Sequence, residues 1–176
     1  VGGGAKVGSP EQDTLSYVIE PMRLRDVGAV LEVEKRSFSA PWSRAAFMSE
    51  LLTNDRAYYF VARTTERRGP LAWNVGRIIG YIGVWLVHDE GHITNVAVHP
   101  DFRGLGIGRR LMEFVIDFCR KGGASRMTLE VRVSNMIAQR LYRDLGFVSA
   151  GIRPGYYRDN NEDALIMWKE LEPPDE

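Results

Sequence analysis

The stretch from Arg103 to Arg110 reads RGLGIGRR, with glycines at 104, 106 and 108 set between arginines. It follows the apolar run Ile93–Val98 and precedes Leu111-Met-Glu-Phe-Val-Ile. Glycine lets backbone approach a ligand closely and take angles closed to other residues. The first turn of a helix adds unpaired N–H groups at a positive dipole end. A strand entering such a loop, with a helix leaving it, aims several N–H groups at one point, and Arg103, Arg109 and Arg110 add charge. The chemistry this suits is anion binding, with pyrophosphate the natural fit. The dinucleotide pattern G-x-G-x-x-G fails because Arg109 stands at the third glycine, and no G-K-[S/T] follows for a Walker loop. From spacing alone, a flexible or closely packed connection stays open as the alternative.

Other reactive side chains carry weaker signals. His88 and His92 flank a turn, but no cysteine or third well-spaced ligand joins them, so no metal site is expected. His99, just after the strand, is a minor candidate for proton relay. Cys119 is the single cysteine; within MEFVIDFCRK it reads as a buried structural thiol and cannot form an internal disulfide.

The elements around these residues follow from periodicity. LSYVIEPM reads as a strand and DVGAVLEVEKRSF as a helix, broken by FSAPW; Ser43 then caps a second helix over SRAAFMSELL. AYYFVART is a strand, and ERRGPLAWNVGR lengthens the loop before a predicted hairpin of RIIGYIGVWLV and HITNVAV joined by HDEG. Leu111, Met112, Val115 and Phe118 form one face of a helix that Gly122 and Gly123 end. RMTLEVRV alternates, with Leu129, Val131 and Val133 opposite Thr128, Glu130 and Arg132. Ser134 is the expected cap of the helix NMIAQRLYRDLG, and FVSAGIR and DALIMWKEL close the chain as strands around a polar loop PGYYRDNNE. The order β, α, α, β, β, β, α, β, α, β, β predicts an α/β fold with a mixed sheet of about seven strands and about four helices. Residues 15–172 are expected to form one domain, with flexible tails at 1–14 and 173–176.

Composition narrows the function. Among 176 residues, Lys plus Arg and Asp plus Glu are both 23, so no global basic field exists to hold nucleic acid or an anionic membrane. The longest apolar run, Ile78–Val87, is too short to span a bilayer, and a cytoplasmic protein is expected.

The pattern R-x-x-G-x-G at Arg103–Gly108, between an apolar strand and an amphipathic helix, resembles the acyl-coenzyme-A loop of the GNAT acetyltransferases. The later segment NMIAQRLYRDLGF is similar to that family's N-x-x-A-x-x-L-Y-x-x-x-G-F helix, matching at Asn135, Ala138, Leu141, Tyr142, Gly146 and Phe147. APWS, LEVR and GYYRDNNEDALIM resemble the RimI-type branch, whose members acetylate the N-terminal alanine of a small-subunit ribosomal protein. The resemblance covers residues 16–171.

The resemblance implies a GNAT fold and acetyl-CoA as co-substrate. Pantetheine would pair along Val96, Ala97 and Val98, and the pyrophosphate would meet Arg103, Gly104, Leu105, Gly106, Ile107, Gly108 and Arg109. Asn135 would contact the pantetheine, Tyr142 would bind the cofactor and protonate the departing thiolate, and Glu130 would accept the amine proton. From the residues alone, Glu130 could equally be a surface partner of Arg132, and Tyr142 a core aromatic. By analogy Trp42, Tyr156 and Tyr157 would line the acceptor entrance, and Asp159 and Glu162 could attract a basic peptide. The implied acceptor is a protein or peptide N-terminus, a ribosomal protein foremost. A small-amine acetyltransferase and a coenzyme-binding module without turnover are the competing readings.

Overall fold

The computed structural model describes residues 15–65 and 75–173. The expected tail at 1–14, residues 174–176 of the expected tail at 173–176, and most of the 66–77 loop, lie outside these residues. The described chain forms strands β1 (Tyr17–Pro21), β2 (Ala57–Thr64), β3 (Ile78–Val87), β4 (Glu90–Val98), β5 (Arg126–Arg132), β6 (Val148–Tyr157) and β7 (Glu162–Glu170). Its α-helices are α1 (Val27–Ser37), α2 (Arg44–Thr53), α3 (Ile107–Lys121) and α4 (Met136–Asp144). The order is the one read from the sequence, and no described helix is long and apolar enough to cross a membrane.

The strands make one mixed sheet in the order β1-β2-β3-β4-β5-β7-β6. Alternation splits its apolar residues between two faces. Phe60, Ala62, Ile82, Val84, Ile93, Leu129 and Val131 pack with Leu111, Met112, Val115 and Cys119 of α3. On the other face, Tyr59, Val61, Tyr81 and Ala97 pack with Val27, Val30 and Leu31 of α1 and Phe47 of α2. Covering both faces buries most of β3 and, in β4, Gly91, Ile93 and Ala97.

Two departures from simple alternation shape the centre. β4 and β5 run parallel, but they pair only from Glu90 with Arg126 to His92 with Thr128; beyond that the strands continue apart. Immediately past His92, the β3–β4 register shifts, with Val84 opposite Ile93 and Gly83 opposite Asn95. Thr94 is therefore the extra residue of a β-bulge, which bends the strand and puts two consecutive polar side chains on one face.

Two expectations need correction. Asn135, not Ser134, caps α4: its Oδ1 accepts the Ala138 N–H at 3.1 Å, while the Ser134 hydroxyl donates to Glu162. The segment PGYY is not loop but the end of β6, because register shifts after Ser149 and after Arg153 absorb Gly155 and its neighbours within the strand. The connecting loop shrinks to residues 158–161.

Candidate active site

The glycine loop begins where β4 ends. Gly104 and Gly106 have φ of +78° and +79°, a region that favours glycine, and a Cβ at either would meet nothing within 4 Å. Open space above a left-handed turn, followed by the unpaired N–H groups of a 15-residue helix, fits a pyrophosphate. Gly108 differs, since its backbone is ordinary and a Cβ there would make only van der Waals contacts with Val98 and Leu141. Leu105 is exposed, whereas Ile107 is buried in the α3 core and meets the loop only through its backbone.

The arginines of the loop are partly engaged elsewhere. Arg103 donates from Nε to the Val98 carbonyl at 3.0 Å and from its guanidinium to the Ser37 hydroxyl at 3.1 Å, so it pins the corner between β4 and α1. Arg109 is half exposed and pairs with Asp144 of α4 at 3.2 Å. Val96 and Val98 lean on the α3 core and Ala97 on the opposite one, which leaves the β4 edge facing β5 without strand pairing after His92.

Glu130 lies on the face opposite Leu129 and Val131, with its side chain only 8% exposed. It does not pair with Arg132. Its Oε2 is 2.8 Å from His92 Nε2, and its Oε1 is 3.5 Å from Arg153 Nε. Burial works to raise the Glu130 carboxyl, but the hydrogen bond and charge of His92, with the charge of Arg153, outweigh it and hold the group below the usual carboxylate range. Arg132 instead pairs with Asp159 at 2.8 Å and Glu162 at 3.6 Å and stacks over the Tyr157 ring at 4.0 Å. Both acids expected to attract a basic peptide are thus already paired.

Tyr142 is buried on α4 with its ring edge to Phe147, yet its hydroxyl makes no hydrogen bond among the described residues. No fully enclosed polar side-chain atom in the described structure lacks a partner, so this oxygen keeps some access to solvent. Burial first, then the neighbouring Tyr157 phenol, push it above the ordinary tyrosine value, so it carries its proton throughout the neutral range. Tyr157 also feels Glu130, which makes it a common neighbour of carboxylate and phenol. Asn135 spends its Oδ1 on the helix cap.

The region around Trp42 and Tyr81 is built from side chains. Trp42 packs on Phe47 and donates its backbone N–H to Glu34 Oε1 at 2.9 Å. Glu34 is buried; its other oxygen accepts the Tyr81 hydroxyl, which in turn accepts from Asn95 Nδ2 at 3.2 Å. Asn95 Oδ1 accepts from Thr94, whose hydroxyl meets Tyr59, and Tyr59 reaches Glu50. Burial raises the Glu34 carboxyl, against the bonds from Trp42 and Tyr81. Tyr156 is exposed and stands edge-on to Tyr157, and Ser39 bonds Asp159 across the entrance.

Reading the sequence missed His92, Arg153 and the chain from Glu34 to Glu50 as site residues. His92 drew notice only as a metal candidate, and its partner Glu130 is 38 positions away on a strand whose register no local pattern fixes. His99 is buried, with Nδ1 accepting the Asp101 N–H at 3.2 Å and Nε2 against Arg77, which places it behind the corner. Burial and Arg77 lower it, keeping it neutral. Cys119 is buried and pushed up to about 12, an inert thiol.

Comparison with known proteins bears on this geometry. The family model described as Acetyltransferase (GNAT) family matches residues 27–147. A Bacillus subtilis protein, named provisionally as a [ribosomal protein bS18]-alanine N-acetyltransferase, is 45% identical over 85% of this chain and 93% of its own. The Escherichia coli K12 [ribosomal protein bS18]-alanine N-acetyltransferase is 36% identical over 85% of this chain and 94% of its own. A crystal structure of the ribosomal-protein-S18-alanine N-acetyltransferase from Escherichia coli superposes with a TM-score of 0.75 at 33% identity, covering 91% of this chain and 97% of that one.

Proposed function

Because the chain belongs to the GNAT acetyltransferase family, whose members use acetyl-CoA, we propose that it transfers acetyl from acetyl-CoA to the N-terminal α-amine of a protein, the alanine of ribosomal protein bS18 foremost. The carrying observation is the parting of β4 and β5, with Glu130 on one wall and the unspent hydroxyl of Tyr142 close by, both bordering Tyr157. The acceptor named for the relatives, and a cytoplasmic setting for residues 15–172 as one domain, accord with this reading.

Acetyl-CoA as co-substrate supplies an acetyl group already activated as a thioester. The open edge of β4 at Val96, Ala97 and Val98 pairs with an extended amide chain like an added strand. Gly104 to Gly108 and the start of α3 receive the pyrophosphate, with charge from Arg109, while Arg103 holds the corner. Asn135, its Oδ1 committed to the cap, offers Nδ2 to the pantetheine. Trp42, Tyr156 and Tyr157 line the entrance for the peptide end.

The amine attacks the thioester carbonyl, forming a C–N bond as the C–S bond breaks. Glu130 receives the surplus proton from nitrogen, directly or across one water, and Tyr142 gives its proton to the sulfur. A carboxylate held low is a weak base. An α-amine with pKa about 8 is already partly neutral near pH 7, whereas a lysine at about 10.4 demands far more of it. The lowered Glu130 carboxyl therefore favours an N-terminal acceptor over lysine.

The test is acetyl-CoA consumption with a hexapeptide beginning in free alanine, against the same peptide blocked at its N-terminus and carrying a lysine. Turnover of the free-amine peptide alone, lost in Tyr142→Phe, is the expected result. Coenzyme binding without turnover of either peptide would overturn it.

A further inference from the structure

Resting on that reading, we propose that His92 is a positioning residue for Glu130: its Nε2–H orients the carboxylate toward the acceptor amine. The geometry is specific. His92 is the last β4 residue paired to β5 before the strands part, and Glu130 is two residues beyond its partner Thr128. An ionised carboxylate 2.8 Å from Nε2 requires a proton on that nitrogen. Nδ1 has no hydrogen-bond partner among the described residues, and the side chain is 32% exposed, so the Glu130 bond is the one that fixes the ring's polar edge.

The surroundings hold the ring in place. Trp85 of β3 lies against it at 6.1 Å between centroids, and Glu50 of α2 fixes the Trp85 indole N–H at 2.6 Å. Arg153 of β6 faces the second carboxylate oxygen, and Tyr156 of the same strand feels the Glu130 charge. Glu90, on the strand of His92, is held by Arg126 and Thr128. One of the two Glu130 oxygens is thus occupied by the imidazole, and the carboxylate's own backbone N–H and the longer Arg153 contact complete its partners.

Glutamine can offer an N–H to the carboxylate from the same strand position, whereas alanine offers none.

The experiment is kcat, KM and acetyl-CoA affinity on the free-alanine hexapeptide for the wild type, His92→Gln and His92→Ala. His92→Ala should lose about tenfold in kcat with acetyl-CoA affinity unchanged, and His92→Gln should recover most of that loss. A His92→Gln variant as impaired as His92→Ala, or a His92→Ala variant indistinguishable from wild type, overturns the role of His92 while the acetyltransfer reading stands. A wild type that binds coenzyme and leaves the peptide untouched overturns both.

Discussion

Along the cofactor side of the cleft, from Asn95 to Arg110, the chain offers backbone: an unpaired strand edge, two left-handed glycines and the first turn of α3. On the sheet face covered by α1 and α2 it offers side chains that bond one another, from Glu34 through Tyr81, Asn95, Thr94 and Tyr59 to Glu50. The first side is ready for an anion and a long amide chain without spending any side chain. The second is a network in which each polar group is also a structural member. Two buried tyrosines mark the contrast: the Tyr81 hydroxyl is bonded to Glu34 and Asn95, and the Tyr142 hydroxyl to nothing described.

Removing the same atom from each should therefore have opposite consequences. Tyr142→Phe is expected to lower kcat on the alanine peptide by about a hundredfold or more, with acetyl-CoA affinity within about threefold and an almost unchanged melting temperature. Tyr81→Phe should do the reverse. It strands a buried carboxylate oxygen and an amide N–H, at a cost of about 2 kcal/mol in unfolding free energy, visible as a lowered denaturant midpoint with m unchanged. Equal loss of stability in both variants would erase the distinction between the two sides.

The glycine loop sharpens the comparison from the other direction. Gly106→Ala forces a side chain into a left-handed turn at about 1 kcal/mol and disturbs the N–H groups that point outward. Calorimetric titration should show acetyl-CoA binding weakened by about tenfold, with kcat at saturation retained. Gly108→Ala, lacking the backbone demand, should change affinity by less than about threefold and so separates required glycine from incidental glycine.

This contrast also explains what could be read from residue order. Element order, the Ser43 cap and the glycine loop are local or contiguous properties, and each stands where periodicity put it. The cap of α4 went astray by one residue because Ser134 and Asn135 are both good caps and only tertiary bonding to Glu162 separates them. The pairing of Arg132 with Asp159, and of Glu130 with His92, depends on how β4, β5, β6 and β7 register against one another. The bulge at Thr94 and the irregularities of β6 reset that sidedness, and a period-two pattern carries no mark of them.

The smallest effect is a sign. Glu34 titrates above its usual range in the folded protein because burial disfavours its charge. Its contribution to stability is complete below the unfolded value and is lost as pH rises through the folded one. Glu130 is held low by His92 and Arg153, so its contribution is present above the unfolded value and is lost as pH falls through the folded one. The two tilt stability in opposite directions with pH, Glu34 above the unfolded value and Glu130 below it. Unfolding free energy followed from about pH 2.5 to 7 should thus gain a steeper upward slope above the unfolded value in Glu34→Gln, and lose upward slope below it in Glu130→Gln. Slopes that move the same way in both variants would mean that the two carboxylates are not held in opposite electrostatic settings.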